Sequence, residues 1–325
     1  MSVPYSRYVF GSLPWYSFLI VLGVVCAVIL AIREEKRLGL PKDTIVDLAL
    51  WVIPFGIVGA RIYYVLFSWD AFKDDLVSVL RVWEGGIAIY GAVIAGFLVV
   101  LVFCRARKLP VLTVCDAVVP GLALAQSIGR WGNYFNMEAY GLPLNNPSLC
   151  FFPLAVRIPS ANGTSWHMAS FFYESLLDFL IFLFLWTVGR KSLRRRGDSF
   201  FFYLFLYGAA RLVIEETRMD SLYSSGVRVS QLLGAAVCLF VLIRYAVFAA
   251  REGRLHGFLK WALLVAGVAG GVYALIWALS GRLWGPVTLW VRLGLPALSS
   301  LLMTISLFIL YFDRGGAEAA CRQPD

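Results

Sequence analysis

Charged residues are scarce in this sequence, and their scarcity excludes an ordinary soluble protein. Only 15% of the 325 residues are charged and 60% are hydrophobic, whereas soluble proteins are about a quarter charged and about half apolar. The mean hydropathy is +0.76. Lipid is therefore the natural solvent for most of the chain, and we expect an all-α, polytopic membrane protein.

Motifs that mark several other classes of protein are also missing. The six cysteines form no CxxC pair and mostly lie in apolar runs, which favours small buried hydrophobic residues over redox or zinc chemistry. No metal-ligand spacing, glycine-rich phosphate loop or nucleotide motif occurs, so we expect no cofactor. The first residues lack a basic segment followed by a small-residue cleavage site, so we expect no removable signal peptide.

The net charge of +9 would, in a soluble protein, suggest a nucleic acid as binding partner. The basic residues, however, stand in short loops between apolar runs. Membrane topology explains them first and anionic membrane lipids second. We therefore expect lipid partners and no nucleic acid.

Apolar runs long enough to cross a hydrocarbon core of about 30 Å recur along the chain and predict a bundle of about nine transmembrane helices. The predicted spans are residues 15–32, 45–68, 86–104, 111–128, 169–189, 199–217, 229–250, 258–280 and 286–312. The longest loop on the side opposite the basic loops, residues 131–168, is rich in Asn, Pro and Gly. It predicts a small, ordered outer lobe with turns.

The predicted organisation has two parts. Residues 1–250 form a seven-helix membrane domain that includes the lobe, and residues 251–325 add two helices and a short polar tail. Lys and Arg concentrate in the loops that follow odd-numbered helices, as at residues 190–196. The positive-inside rule then places the N-terminus outside the inner membrane and the C-terminus in the cytoplasm.

Charged side chains inside membrane helices are informative, because each costs roughly 2.5–3.5 kcal/mol at the bilayer centre. In the predicted topology, polar residues of six helices lie at one depth, near the outer leaflet. A random distribution of polar residues along the helices would not produce this layer. The helices that run outward contribute Arg61, Arg130, Arg211 and Glu215. The helices that run inward contribute Tyr16, Tyr90 and Glu174 near their outer ends.

Two interpretations of this polar layer are open. In the structural one, the residues are ion pairs, snorkelling side chains and interfacial aromatic residues; Arg211 and Glu215, four residues apart, suit such a pair. In the functional one, several arginines near a lipid headgroup form a phosphate site, because guanidinium is a planar fork of donors that keeps its charge when buried. We favour the functional interpretation for the arginines as a set.

The most informative motif is GRWGNYFNMEAYG at residues 129–141. It resembles the signature G-R-x-G-N-F-x-N-x-E-x-x-G of prolipoprotein diacylglyceryl transferases, with Tyr134 where the family usually has Phe. Other segments resemble the same family in order and spacing. They are Trp15-Tyr16, GARIYYVLF at 59–67, WEGGI at 83–87, Tyr173-Glu174 and YGAARLVIEETR at 207–218. The likeness covers roughly residues 14–245, and the family usually has seven spans, so the last two helices are an extension.

The chain departs from the family pattern in two places. Many members have His-Gly-Gly-Leu in the third helix, where residues 90–93 here read YGAV. A His-Pro pair often precedes the tyrosine of the fifth helix, where residues 168 and 169 here are Met and Ala. These departures leave the expected fold intact, but they weaken any mechanism that needs a histidine base.

The resemblance implies transfer of a diacylglyceryl group from phosphatidylglycerol to the lipobox cysteine of a prolipoprotein, with glycerol phosphate as leaving group. The phosphate must be neutralised and the thiol must lose a proton. Roughly 3% of a free thiol is ionised at pH 7, so full deprotonation adds about 2 kcal/mol at best. Losing an oxyanion-type donor costs roughly 2.7–4 kcal/mol, so arginines on the phosphate can dominate.

By this likeness, Arg130 and Arg211 are expected to hold the lipid phosphate and its transition-state charge. Tyr16, Tyr90 or Tyr207 is expected to orient the thiol or relay its proton. The other expected substrate-binding residues are Arg61, Asn133, Asn136, Glu138, Gly141, Glu174 and Glu215.

Two other classes of function stay open at this stage. A transporter of phospholipid or polyprenyl phosphate would use the same arginines without chemistry. Against it, the sequence has no deep polar path beyond Asp178 and no paired broken helices. A non-catalytic relative that binds lipid or lipoproteins is the second alternative, and the departures at Tyr90 and Met168 are consistent with it. A mass shift of one diacylglyceryl unit on a test peptide separates all three.

Overall fold

The computed structural model describes residues 7–11, 13–160, 163–193, 195–219, 223–224, 227–255, 258–279 and 289–312. Nine long helices occur in these residues, which confirms the predicted all-α fold. They are α1 (Trp15–Arg37), α2 (Thr44–Phe67), α3 (Ile89–Ala106), α4 (Val111–Asn136), α5 (Ser170–Phe184), α6 (Asp198–Thr217), α7 (Val229–Arg251), α8 (Phe258–Leu279) and α9 (Leu289–Phe312). A π-helical stretch, Leu185–Gly189, and a short turn, Arg190–Ser192, continue α5.

Eight helices in the described residues are long and apolar enough to cross a membrane. This confirms the prediction of a polytopic membrane protein. The exception is α6, whose second half contains Arg211, Glu215 and Glu216. Both carboxylates are shielded, since Glu215 is 1% exposed and Glu216 is 0% exposed. Protein therefore surrounds these charges, as membrane helices with internal charges require.

The fourth helix continues past its predicted end at residue 128 and reaches Asn136. Most of the family motif is thus helical, and the loop that was expected from residue 131 begins after Asn136. Gly132 does not interrupt the helix, because it faces a packed ring: an ideal Cβ there would lie 2.8 Å from the ring of Tyr16. Met137, with a φ of 53°, ends the helix in the left-handed conformation.

Short strands, which the sequence analysis did not predict, form three antiparallel pairs. They are β1 (Tyr8–Phe10) with β2 (Leu13–Pro14), β3 (Ala155–Ser160) with β4 (Gly163–Met168), and β5 (Tyr223–Ser224) with β6 (Val227–Arg228). The β3–β4 hairpin lies in the lobe between α4 and α5, with Ala155 opposite Met168 and Arg157 opposite Trp166. The lobe is therefore ordered, and a hairpin supplements its turns. Single-turn 3-10 helices also occur at Trp69–Ala71, Leu76–Leu80, Val82–Glu84 and Pro147–Leu149.

Residue contacts divide the chain into two compact units. The first unit comprises residues 1–23, 123–193 and 201–325, and the second comprises residues 24–122 and 194–200. The extension, residues 251–325, belongs to the first unit. The predicted division at residue 250 separates helices by their likeness to the family and remains a prediction.

Close backbone packing and a buried helix cap hold the second unit together. An ideal Cβ on Gly59 of α2 would overlap the Ala95 methyl group of α3 and lie 2.8 Å from the carbonyl oxygen of Gly91, so the two helices approach too closely here for any residue larger than glycine. The buried Asp116 carboxylate accepts hydrogen bonds from the N–H groups of Gly197 and Phe200, at 2.5 and 2.9 Å. Asp116 thereby satisfies donors at the start of α6.

Candidate functional site

Glu174 is the centre of a charged network in the first unit. It lies near the start of α5 and is 2% exposed. Arg130 Nη2 lies 2.5 Å from Glu174 Oε1, and Arg211 Nη1 donates to the same oxygen at 2.8 Å. Arg218 Nη1 donates to Glu174 Oε2 at 3.1 Å. A buried carboxylate needs such partners, because an unpaired charge away from water is costly.

Arg211 links Glu174 to a second buried carboxylate, because its Nη2 lies 2.7 Å from Glu215 Oε2. We call Arg130, Arg211, Arg218, Glu174 and Glu215 the arginine cluster. The side chains of Arg130, Arg211 and Arg218 are 23%, 16% and 11% exposed. Within these five residues, three guanidinium groups face two carboxylates, and all three guanidinium groups partly reach the surface. Such a surface favours a bound anion.

Antiparallel helices bring the cluster together at one end of the first unit. Arg130 is near the end of α4, Glu174 is near the start of α5, and Arg211 is in the second half of α6. The ends of α4 and α6 therefore meet the beginning of α5. For these three helices, the arrangement agrees with the polar layer that the sequence predicts.

Arg218 is a cluster residue that the sequence analysis did not include among the site residues. It was noted only as the last position of the motif in the sixth helix. A signal was available, because Arg218 follows Arg211 by seven residues, which is close to two helical turns. Arg218 directly follows the last residue of α6, and its guanidinium group reaches the same carboxylate as that of Arg211.

A second polar group forms at the end of α4 from three predicted substrate-binding residues. Asn133 and Asn136 both donate from Nδ2 to Glu138 Oε1, at 3.2 and 3.4 Å. Arg7 Nε donates to Asn136 Oδ1 at 3.5 Å. Glu138 is exposed and the two asparagines are half-buried, so this group of amides and a carboxylate is partly accessible to a polar ligand.

Tyr207 lies one helical turn before Arg211, within electrostatic reach of both Arg211 and Arg130. Its ring stacks on that of Tyr203, with centroids 5.9 Å apart. The Tyr203 hydroxyl donates to Gln126 Oε1 at 2.8 Å. Along α6, Tyr207 precedes Arg211 by one helical turn and Tyr203 precedes it by about two turns.

The other two predicted tyrosines belong to different parts of the chain. Tyr16, in the first unit, covers Gly132 with its ring and lies within electrostatic reach of Arg130. Tyr90 lies in the second unit, where its ring centroid is 6.4 Å from that of Tyr63. Tyr16 and Tyr207 thus both interact electrostatically with Arg130, whereas Tyr90 is described among residues of the second unit.

Arg61 lies in the second unit, where its guanidinium group binds backbone carbonyls. All three nitrogens donate, to the oxygens of Ser78, Val79, Arg81, Gly85 and Gly86. Its Cζ also lies 5.0 Å from the ring centroid of Phe72. These contacts fold residues 78–86 around the buried Arg61, which suits a structural role. The predicted contact of Arg61 with substrate stays a prediction.

Gly141 joins the lobe to the end of α6 through its backbone. Its N–H donates to the Met168 oxygen at 2.8 Å, and its oxygen lies 2.9 Å from His167 Nδ1. An ideal Cβ on Gly141 would lie only 2.5 Å from the Thr217 oxygen, so the close approach requires glycine. His167 is buried, and its Nε2 lies 2.9 Å from Ser165 Oγ. Both ring nitrogens of His167 thus contact polar atoms within the lobe.

Asp178 lies one turn deeper than Glu174 in α5 and is buried. Its Oδ2 has no hydrogen-bond partner among the residues that the structure describes. Within the same described ranges, no three His, Cys, Asp or Glu side chains gather as a metal ion would need.

The fold and the site together define a class. This is a multi-pass membrane protein with a cluster of arginines at one set of helix ends and an ordered lobe that follows one of them. The family model for prolipoprotein diacylglyceryl transferase matches residues 8–247. The chain belongs to the prolipoprotein diacylglyceryl transferase family and is a membrane transferase, as its motifs predicted. Residues from 248 onward, including α8 and α9, lie outside the family match.

Relatives named phosphatidylglycerol–prolipoprotein diacylglyceryl transferase cover most of the family region. The Limosilactobacillus reuteri protein is 41% identical over 239 residues, which are 71% of this chain and 86% of the relative. The Finegoldia magna protein is 40% identical over 232 residues, 71% of this chain and 90% of the relative. The Streptococcus agalactiae protein is 38% identical over 233 residues, with the same coverage.

Proposed function

We propose that this chain transfers a diacylglyceryl group from phosphatidylglycerol to the thiol of the lipobox cysteine in prolipoproteins. Membership of the family supports the reaction. The arginine cluster supports binding of an anionic phosphodiester headgroup. The observation that carries the proposal is the convergence of Arg130, Arg211 and Arg218 on the single buried carboxylate of Glu174.

In the proposed reaction, the cysteine sulfur attacks the glycerol carbon that bears the phosphate. A carbon–sulfur bond forms, and the carbon–oxygen bond to the phosphate breaks with its electron pair. Glycerol phosphate leaves, and the thiol proton passes to a base or to the leaving phosphate. Negative charge grows on the phosphate during this step, so fixed positive charge nearby lowers the barrier.

Arg130 and Arg211 bind the phosphate oxygens in this proposal. Arg211 is held from two sides by Glu174 and Glu215, so its orientation is fixed before the lipid arrives. Arg130 is the most exposed arginine of the cluster, which leaves it room to turn donors toward the headgroup. Arg218 adds a third charge on the other oxygen of Glu174.

The group of Asn133, Asn136 and Glu138 binds the glycerol hydroxyls of the phosphatidylglycerol headgroup. A hydroxyl both donates and accepts, and this group offers amide donors beside a carboxylate acceptor. Tyr16 or Tyr207 orients the thiol or relays its proton, because both interact electrostatically with Arg130. For Tyr90 and Arg61, a role in the reaction is proposed from the family likeness alone. Gly141 holds the lobe to the end of α6.

We further propose that the chain lies in the inner membrane with its N-terminus outside and its C-terminus in the cytoplasm. The bias of Lys and Arg toward the loops after odd-numbered helices supports this orientation. The cluster and the lobe then face the outer leaflet, where secreted prolipoproteins emerge. A C-terminal fluorescent protein fusion is expected to fluoresce in the cytoplasm, and a dark, translocated fusion contradicts the orientation.

The test of the function combines a purified reaction with a genetic one. The chain in detergent is mixed with phosphatidylglycerol and a peptide that contains a lipobox cysteine. Mass spectrometry is expected to find the peptide heavier by one diacylglyceryl unit, and a Cys→Ser peptide serves as the control. Expression is also expected to restore growth to a strain depleted of its own transferase.

An unchanged peptide mass, together with failure to restore growth, overturns the proposal. If phosphatidylglycerol still binds in that case, the chain is a non-catalytic relative. If lipid instead crosses a vesicle membrane that contains the chain, it is a transporter.

A further inference from the structure

Glu216 is a fully buried carboxylate outside the arginine cluster, and half of its partners come from the extension. Arg228 Nη1 and Gln231 Nε2 donate to its Oε1, the latter at 2.9 Å. Trp277 Nε1 of α8 donates to the same oxygen at 2.7 Å, and Arg292 Nε of α9 donates to Oε2 at 2.8 Å. The extension thus completes the coordination of a charge that is 0% exposed.

Four consecutive residues, the last three of α6 and the one that follows it, bind different partners. Glu215 pairs with Arg211, and Glu216 binds the extension. Thr217 Oγ1 lies 2.8 Å from Ser170 Oγ at the start of α5, and Arg218 binds Glu174. Glu215 directly precedes Glu216 in α6, and successive residues of a helix point about 100° apart. Holding Glu216 in place therefore also sets the direction of Glu215, the partner of Arg211.

The extension is a packed part of the first unit and not a loose appendage. Ser300 Oγ of α9 donates to the Ala209 carbonyl of α6 at 3.0 Å. Met303 and Leu307 are fully buried, and the Phe308 ring centroid is 5.8 Å from that of Phe202 in α6. The extension therefore packs along the length of α6, and these contacts can set the position of the last turn of α6.

We infer that α8 and α9 form a positioning element for the arginine cluster, acting through the bonds of Trp277 and Arg292 to Glu216. Neither residue belongs to the region that the family model matches, which ends at residue 247. Trp277 and Arg292 are thus positioning residues for headgroup binding that this chain adds to the family site. The inference rests on the proposed function, because the cluster is taken to bind the phosphatidylglycerol headgroup.

The test compares the same substitution, tryptophan to phenylalanine, at two positions of α8. Trp277→Phe removes the donor to Glu216 and keeps an aromatic ring, whereas Trp261→Phe changes an exposed tryptophan of α8. We expect Trp277→Phe to raise the KM for phosphatidylglycerol by on the order of 2- to 30-fold, the usual range for positions that modulate a distant site. The KM for the peptide is expected to stay unchanged, and Trp261→Phe is expected to match the unmodified chain.

A merely structural role gives a different result. Destabilisation lowers the fraction of active protein and hence the apparent kcat, without changing the KM for phosphatidylglycerol. Arg292→Gln and Arg292→Lys extend the test, since lysine keeps a charged donor. Partial recovery of the KM in Arg292→Lys relative to Arg292→Gln supports positioning. The inference is overturned if Trp277→Phe, Arg292→Gln and Trp261→Phe all lipidate the peptide with the same KM for phosphatidylglycerol. That result leaves the proposed function intact.

If the chain neither lipidates the peptide nor restores growth, the proposed function is overturned, and a second readout then tests the inference. The thermal midpoint of the detergent-solubilised chain is measured with phosphatidylglycerol and with phosphatidylcholine, whose headgroup is neutral overall. Phosphatidylglycerol is expected to raise the midpoint more, and this difference is expected to shrink in Trp277→Phe but not in Trp261→Phe. Equal differences in the two variants overturn the inference.

Discussion

Arg130 and Arg211 belong to different helices, yet their guanidinium groups contact the same oxygen, Oε1 of Glu174, at 2.5 and 2.8 Å. Two cations so close together repel each other unless a negative charge lies between them. Glu174 supplies that charge when no lipid is bound. A phosphate group has several oxygens that guanidinium groups can bind in the same way as they bind a carboxylate.

Removing the shared charge is expected to destabilise the protein. Glu174→Gln leaves three guanidinium groups around a neutral amide, and loss of one member of a buried ion pair costs about 3–5 kcal/mol. The partial exposure of the arginines places the expected loss at the lower end of that range. The measurement is the thermal midpoint in detergent. Asp70→Asn, the same change at an almost fully exposed carboxylate, is the control, and equal midpoints contradict the prediction.

Tyr207 is expected to matter through its hydroxyl. Tyr207→Phe keeps the ring stacked on Tyr203 and removes the group proposed to orient or relay the thiol proton. A lost general acid–base group typically costs about 10²–10⁴-fold in rate, so kcat is expected to fall by about 10²-fold or more. Tyr203→Phe, which removes the bond to Gln126, is the matched control. A smaller loss in Tyr207→Phe than in Tyr203→Phe removes the proposed role of Tyr207.

Arg61→Lys is expected to loosen residues 78–86 while keeping the positive charge. A lysine ammonium lacks the planar fork that reaches five carbonyl oxygens, so several of them lose their donors. Hydrogen exchange in residues 78–86 is expected to become faster than in the unmodified chain. Unchanged exchange combined with a raised KM for phosphatidylglycerol instead favours direct contact of Arg61 with the substrate.

Gly141→Ala is expected to separate the lobe from α6. The added methyl group meets the Thr217 oxygen at 2.5 Å and Met168 Cβ at 2.8 Å, and overpacking of this kind costs about 1–3 kcal/mol. Limited proteolysis is expected to cut the lobe faster. Gly294→Ala in α9, where an ideal Cβ has no atom within 4 Å, is the control. Equal cleavage rates in the two variants contradict the prediction.

Most of the helical fold could be predicted from the sequence, because long apolar runs have few alternatives in lipid. The predicted span 111–128 stopped short because Gly129, Arg130 and Gly132 resemble the start of a loop. In the structure, α4 continues to Asn136 and the Tyr16 ring covers Gly132. That contact is between segments remote in sequence, so no local pattern shows it.

The site could be predicted in part, and the limits are physical. Arg130, Arg211 and Glu174 were found because charge inside a membrane helix is costly and therefore informative. Their meeting on one oxygen, and the addition of Arg218, depend on side-chain directions that only the packed helices set. The partners of Glu216 were missed because Trp277 and Arg292 lie outside any motif. Tertiary packing alone brings them to α6.

The measurement that tests the account most directly is lipidation by Arg130→Ala. The purified variant, phosphatidylglycerol and a lipobox peptide are mixed, and the rate of peptide mass increase is compared with that of the unmodified chain. Arg157→Ala serves as the control, since Arg157 is an exposed arginine that stacks on Trp166 at 4.8 Å in the lobe. Loss of a donor to developing charge predicts a rate about 10²–10³-fold lower for Arg130→Ala. Equal rates for Arg130→Ala and Arg157→Ala contradict the claim that the arginine cluster binds the lipid phosphate.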